Sequence, residues 1–351
     1  MNRQVSNRRY CSARHNSHAC LLACALIGCL ILIAAQSPSF SQIVSARPAA
    51  EPITPIPTQA ALDPQRVALG ERLFNDVRLS GNDSRSCSTC HPLDRAAVDG
   101  NVRATALDGE ARLRNTPTLY NVALNFSFNW DGATTTLEVH AERLLGNPAV
   151  MNAKWPALLA KLRAVPDYFT QFRDAFSDRL TQANVLNALA EFARSLATPI
   201  APIDRYLRGE RDALTADERQ GYRLFKSYGC VACHQGMNIG GNLYQKFGVF
   251  QAPSPPRDGD AQPDVGRYRV TSVERDRGVF RVPSLRNVAV TAPYFHDGRA
   301  PTLESAVEIM GRVQLGRELA IEDINAIVRF LRTLTGEYQG KALSIPTKGA
   351  P

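Results

Sequence analysis

Long apolar runs are nearly absent from this chain. The one that stands out, Ala19 to Ala35, follows Arg3, Arg8, Arg9 and Arg14 with no acidic residue among them, and small residues continue to Ser41. It is shorter than the about 20 residues that a membrane-spanning helix needs. The order of charge, apolar run and small residues is that of an export signal over residues 1–41, cut after Ser41. An uncleaved segment would instead leave a membrane anchor. Leu26-Ile27-Gly28-Cys29 resembles a lipoprotein cleavage box, but the apolar run continues past Cys29. A strong net charge is missing too, because the formal +8 falls to +4 once the four N-terminal arginines leave. Nucleic acid is therefore not an implied partner. Strand signals are weak, which leaves a mostly helical chain. Histidine and methionine are scarce: beyond Ser41 there are only His91, His140, His234 and His296, and Met151, Met237 and Met310.

Cysteine completes the absences. Of eight cysteines, Cys11, Cys20, Cys24 and Cys29 fall in the export signal. The remaining four form Cys87-Ser88-Thr89-Cys90-His91 and Cys230-Val231-Ala232-Cys233-His234. C-x-x-C-H is the attachment signature of a c-type haem: two thiols on one turn reach the two vinyl groups of one porphyrin, and the adjacent imidazole ligates the iron. A zinc or redox C-x-x-C that happens to precede histidine is the competing reading, and its repetition in an exported chain weighs against it. Two covalent haem c groups leave no cysteine for a disulfide. Four ionised propionates would bring the net charge near zero. Covalent haem and an export signal together place the chain outside the cytoplasmic membrane, in a bacterial periplasm.

The chain repeats itself. Gly70-Glu71-Arg72-Leu73-Phe74 precedes the first haem motif and Gly221-Tyr222-Arg223-Leu224-Phe225 the second. Pro117-Thr118-Leu119-Tyr120-Asn121-Val122-Ala123 recurs 166 positions later as Pro283-Ser284-Leu285-Arg286-Asn287-Val288-Ala289. The same offset maps Asp131-Gly132 onto Asp297-Gly298, and Thr136-Leu137-Glu138 onto Thr302-Leu303-Glu304. Asp63-Pro64 and Thr215-Ala216-Asp217-Glu218 are helix starts. Amphipathic helices over 184–196 and 323–334 close the two halves. The fold expected is mostly α, with two tandem cytochrome c-type haem domains over 61–205 and 206–340 hinged at Pro199-Ile200-Ala201-Pro202. A disordered, proline-rich leader (42–60) and a tail (341–351) flank them. The stretch from Met237 to Arg281 reads as a long loop over the second haem.

The sixth position of each iron decides between electron transfer and peroxide chemistry. Met310, on a helix begun near Thr302 and 76 residues after His234, is placed to cap the second haem as ligand; core packing is the alternative. The repeat offset carries Met310 back to Leu144, so the first haem has no ligand there and its iron is open unless His140 or a loop residue binds it.

These residues resemble the bacterial di-haem cytochrome c peroxidase and MauG family over nearly all the chain after the leader. The resemblance is carried by both haem motifs, Asn115-Thr116-Pro117-Thr118-Leu119, Trp130-Asp131-Gly132, Gly240-Gly241-Asn242-Leu243 and Pro293-Tyr294-Phe295-His296-Asp297-Gly298 followed by Met310. It implies peroxide reacting at the N-terminal haem and electrons arriving through the C-terminal one. It implies Trp130 between the haems, where a core indole is the alternative, and a calcium ion at Asn115 and the backbone oxygens of Thr291 and Pro293, oxygen donors that suit a hard cation. By the same resemblance His296, the family's His-Asp-Gly histidine, is a conformational, hydrogen-bonding residue near the haem; ligation of the second iron in competition with Met310 is its alternative reading. Members of the family commonly pair as dimers, so a homodimer is also expected by resemblance.

Three departures separate this chain from the family pattern. Where family peroxidases carry a histidine that closes the N-terminal iron, this chain has Leu107. Their Asn-Pro-x-Glu-Met stretch reads Asn147-Pro148-Ala149-Val150-Met151, and valine moves no protons. A glutamine expected ten residues after the tryptophan is replaced by His140. Imidazole suits the proton transfers of O–O cleavage, which makes His140 the catalytic candidate; a distal ligand and an interface hydrogen bond are its other readings. The leading function is a periplasmic peroxidase reducing hydrogen peroxide to water, with electrons from a small cytochrome c or cupredoxin. A MauG-like oxidase acting on Trp or Tyr of a partner protein is the first alternative, weakened by Met310 because MauG has tyrosine at that place. A plain di-haem electron carrier is the second.

Overall fold

The computed structural model describes residues 51–58, 61–110, 114–177, 179–253 and 264–344. The export signal over 1–41 and the leader up to residue 50 lie outside them. Among the described residues the helices are α1 (Pro64–Phe74), α2 (Cys87–Cys90), α3 (Leu137–Gly146), α4 (Trp155–Arg163), α5 (Pro166–Phe176), α6 (Gln182–Ser195), α7 (Pro202–Leu207), α8 (Ala216–Ser227), α9 (Tyr268–Thr271), α10 (Leu303–Leu315) and α11 (Ile321–Arg332). Two short antiparallel pairs join them, β1 (Tyr244–Lys246) with β2 (Val279–Arg281), and β3 (Glu337–Tyr338) with β4 (Lys341–Ala342). The chain is mostly α.

Helix starts follow the sequence signals. Asp63 accepts from the backbone N–H groups of Gln65 and Arg66 at 2.9 and 3.2 Å, and Pro64 takes the first helical position. Thr215 and Glu218 form a reciprocal capping box at the start of α8. One hydrophobic core gathers Leu69, Leu73, Phe74, Tyr168, Phe172 and Phe192. A second gathers Tyr222, Phe225, Leu303, Ile327, Phe330 and Leu334.

Each core is built on one close helix crossing, α1 on α6 and α8 on α11. A glycine permits each. A Cβ on Gly70 would overlap the carbonyl oxygen of Ala188 and the Cβ of Phe192, and one on Gly221 would overlap the carbonyl of Ala326 and the Cβ of Phe330. One turn on, Phe74 meets Phe192 and Phe225 meets Phe330, both at 5.1 Å between ring centroids. The repeated Gly-x-x-x-Phe is thus the packing code of the two crossings. Glycine costs about 1 kcal/mol in a helix relative to alanine; the close approach keeps it there.

The cores meet at a polar junction. Asn121 and Asn287, equivalent in the repeat, both adopt φ 60°. Asn121 Nδ2 donates to Thr198 Oγ1 at 2.7 Å and Asn287 Nδ2 donates to the same oxygen at 3.2 Å. The backbone N–H groups of Thr198 and Gly336 donate to Asn121 Oδ1 and Asn287 Oδ1, each at 2.9 Å. Thr198 and Asn287 are fully buried, so the expected hinge at Pro199–Pro202 begins at a locked point.

Two expectations at the chain ends are corrected. The leader expected to be disordered over 42–60 is ordered in its described residues 51–58: Ile53 and Ile56 are 1% and 2% exposed, and Gly236 N donates to Pro52 O at 2.7 Å. Two apolar side chains between the prolines are enough to seat it. The tail expected from 341 begins instead as β4, which pairs with β3, and Leu343 packs on the first core; residues 345–351 lie outside the description. The long loop after Met237 is mostly loop, but β1 and β2 zip its ends, with Tyr244 opposite Arg281.

Gly70→Ala and Gly221→Ala will each lower stability by about 1–3 kcal/mol, the cost of overpacking, although alanine is the better helix former. Chemical denaturation of the haem-loaded protein checks this, and wild-type midpoints in both variants would contradict it.

Candidate functional site

The two haem motifs fold alike. In the first, Ser86 N donates to Thr89 Oγ1 at 3.0 Å, and His91 N to Cys87 O at 3.0 Å, which closes α2 as a single turn. In the second, His234 N donates to Cys230 O at 2.9 Å. Burial pushes the Cys87 thiol up to about 12 and Cys230 up to about 11, and Cys90 is raised for the same reason. Among the described residues no cluster of three or more His, Cys, Asp or Glu is arranged for a metal ion.

Both motif histidines are oriented by a backbone carbonyl. His91 Nδ1 lies 3.0 Å from Ala97 O, and His234 Nδ1 lies 3.3 Å from Ile239 O. A carbonyl only accepts, so Nδ1 carries the proton in each ring and Nε2 keeps its lone pair for a metal. The residues that present those carbonyls are strained: Ala97 has φ 56° and Ile239 φ 50°. A buried β-branched residue at positive φ is a costly conformation that the surrounding fold must impose. Burial lowers both imidazoles, His234 to about 4, so that both are neutral and fit to ligate.

His234, Cys230, Cys233 and Met310 line one cavity of about 480 Å³, with Met310 contributed by α10. Its lining suits a porphyrin: a neutral imidazole and two thiols from one motif, a thioether from another element, and apolar side chains such as Leu303, Val307 and Leu331. Of the other methionines, Met151 is buried in the first core, and the Met237 carbonyl accepts from Arg286 Nε at 2.9 Å.

The same cavity reaches Trp130, Asn115, Thr291, Pro293 and His296. Trp130 Nε1 donates to Asn115 O at 2.9 Å, and Asn115 N donates to His296 O at 2.8 Å. The His296 ring stacks on Phe280 at 4.1 Å and meets Trp130 edge-on at 6.3 Å. Arg114 grips this region, with Nη1 on Asp131 Oδ2 at 2.7 Å and a fork on Asp264 at 2.6 and 2.8 Å. Burial works against the Asp264 carboxylate, yet the Arg114 fork and the Gly266 N–H hold its pKa below the usual range.

His140 sits on α3 with Nδ1 3.2 Å from Thr134 Oγ1 and its ring 5.5 Å from that of Phe128. Burial pulls it down to about 4, and the positive charge of Arg281 pushes the same way. Glu138 is tied to Arg194 at 2.7 Å and Glu142 accepts from Gln182 Nε2 at 2.5 Å, so both flanking acids are engaged elsewhere. Val150 packs at the edge of the first core, and Leu107 N donates to Ala149 O at 2.8 Å. Thr134, Arg114 and Arg281 were not singled out by sequence; no spacing rule marks them, because their partners come from distant segments.

The family model described as "Di-haem cytochrome c peroxidase" matches residues 64–212. The Cytochrome c peroxidase Ccp of Escherichia coli is 42% identical over 289 residues, which cover 82% of this chain and 62% of that protein's length. The Cytochrome c551 peroxidase of Nitrosomonas europaea is 40% identical over 296 residues, 84% of this chain and 87% of its own. The methylamine utilization protein MauG of Methylorubrum extorquens is 34% identical, covering 81% and 82%. Among solved structures, a MauG-like protein associated with microbial copper homeostasis superposes with a TM-score of 0.70 at 28% identity, over 83% of this chain and 95% of that one. With paired haem motifs on oriented histidines and relatives alike over most of its length, this chain belongs to the di-haem cytochrome c peroxidase family, whose members carry two haem c groups.

Proposed function

We propose that this protein is a periplasmic peroxidase that reduces hydrogen peroxide to two waters, with two electrons and two protons, at the haem held by Cys87, Cys90 and His91. The second haem, held by Cys230, Cys233, His234 and Met310, relays electrons from a small cytochrome c or cupredoxin. The observation that carries the reading is the asymmetry across the repeat: Met310 and His234 line one cavity, whereas the equivalent of Met310 is Leu144. Bound haem supplies an iron that takes peroxide where its sixth position is open and only passes electrons where a thioether closes it. Trp130, joined to Asn115 and His296, forms the route between the two. The periplasm is supported by the N-terminal export pattern, and no helix among the described residues is long and apolar enough to cross a membrane.

With Val150 in place of the usual acid, proton transfer falls to His140. Thr134 occupies its Nδ1, so Nε2 is the nitrogen left to accept a proton from peroxide and return it when the O–O bond breaks. Its depressed pKa keeps the ring neutral, and so able to accept, down to about pH 4. EPR of the fully ferric protein tests the reading: a high-spin signal from one haem and a low-spin signal from the other are expected, and two low-spin haems would overturn it.

His140→Gln will lower kcat for peroxide about 10²–10⁴-fold, the usual worth of a positioned acid–base group, while leaving the high-spin signal. The acid limb of wild-type turnover will fall near pH 4–5 rather than at the ordinary histidine value of about 6.5, as read from a pH–rate profile.

Glu138→Gln and Glu142→Gln will each leave turnover within about twofold of wild type, because their carboxylates are committed to Arg194 and Gln182; a large loss of kcat would place an acid, not His140, in the proton path.

Calcium bound by Asn115 and the carbonyl oxygens of Thr291 and Pro293 fits the shared lining of these three residues beside Trp130. Chelation will lower the Tm and the turnover rate together, and added calcium, not sodium, will restore both in a concentration-dependent way. A Tm indifferent to chelator would remove the ion from the account.

A further inference from the structure

The proposed chemistry leaves one buried cation unused. Arg281, the last residue of β2, is 5% exposed and lines the cavity that holds His234 and Met310. Its Nη1 donates to Asn125 Oδ1 at 2.9 Å and its Nε to Asn129 O at 3.3 Å. Both acceptors are neutral, and among the described residues no carboxylate pairs with it. Two nearby arginines are matched by acids: Arg286, which lines the cavity, with Asp204 at 2.9 Å, and the half-buried Arg114 with Asp131 and Asp264 at 2.7 and 2.6 Å. Burial brings Arg281 down only to about 10, so it is charged at neutral pH. A desolvated guanidinium is stable only when an anion joins it, and two of its five N–H groups are engaged by the bonds above.

Where the described residues bring no carboxylate to Arg281, the haem of the family brings two propionates. We propose that Arg281 binds a propionate of the haem attached through Cys230 and Cys233, clamping it against the Asn125–Asn129 loop of the first half. The backbone supports the bridging role, since Arg281 N donates to Trp130 O at 2.8 Å, which ties the clamp to the route between the haems. A positive charge at the propionate favours the ferrous state, so Arg281 raises the reduction potential of the relay haem. The inference rests on the two haems of the family and not on the peroxidase reading, and its test reads no peroxide turnover.

Spectroelectrochemical titration of the holoprotein decides it. Arg281→Gln, which removes the charge and retains an amide donor, will lower the midpoint potential of the haem with methionine ligation and leave the other unchanged. Arg281→Lys, which keeps the charge and loses the fork, will lower the same potential by less. Unchanged potentials at both haems in R281Q, or a shift confined to the other haem, would overturn the proposal. A wild-type potential that follows added chloride or phosphate would also overturn it, since a soluble anion would then fill the site. Should R281Q fail to retain both haems, R281K decides alone: a smaller fall at the same haem supports the clamp, and no change at either refutes it.

Discussion

Asp204 and Arg286 form an ion pair in which both side chains are wholly buried, 2.9 Å apart, and the second half of the molecule is assembled around it. Burial raises the Asp204 pKa and lowers that of Arg286, so each partner feels the loss of water more than it feels the other. What makes the arrangement tenable is saturation. Asp204 also accepts from the backbone N–H groups of Ile56 and Ala201, at 3.3 and 3.4 Å. Arg286 also donates to Met237 O at 2.9 Å and to Thr54 O at 3.1 Å. Removing one partner of such a pair costs about 3–5 kcal/mol because the other is stranded. Four segments converge there: the 51–58 strap, α7, the loop after the second haem motif and the second copy of the repeated heptapeptide.

The repeat explains why the two chain ends are used as they are. Position 286 in the second half corresponds to Tyr120 in the first. Where Arg286 draws in the N-terminal strap through Thr54, Tyr120 packs on Tyr338 at 5.2 Å and donates to Leu93 O at 3.0 Å, which seats the C-terminal hairpin on the first core. One position on, both halves keep asparagine, because Asn121 and Asn287 must both reach Thr198 from a left-handed backbone. Identity is kept where the halves touch each other, and difference is placed where each receives a terminus.

The same division runs through the chemistry. His91 and His234 are oriented in one manner, by carbonyls on strained residues, because an iron needs the same neutral nitrogen in either half. The ligand candidates differ. Met310 on α10 has Leu144 as its counterpart in the repeat, while α3 carries His140 held by Thr134. On the proposed function, that difference would separate a haem able to bind peroxide from one that only passes electrons.

Much of this was legible in the chain. The haem motifs declare covalent chemistry because thioether spacing tolerates no insertion. The two Gly-x-x-x-Phe copies report helix crossings, and capping residues mark where α1 and α8 begin, since those signals act over a few residues. The strap at 51–58 was not legible: its prolines suggest disorder, and only the burial of Ile53 and Ile56 against a distant core offsets the entropy of ordering it. Nor was the lack, among the described residues, of an acid beside Arg281, or the commitment of Glu138 to Arg194, since a side chain's partner is set by which remote segment folds against it. Sequence alone determined the haem attachment, the internal repeat and the helical character, which depend on neighbours along the chain. Tertiary structure alone decided which histidine keeps which nitrogen, which acids are already engaged and which buried cation is held by neutral acceptors, because hydrogen bonds and desolvation act between residues far apart in sequence.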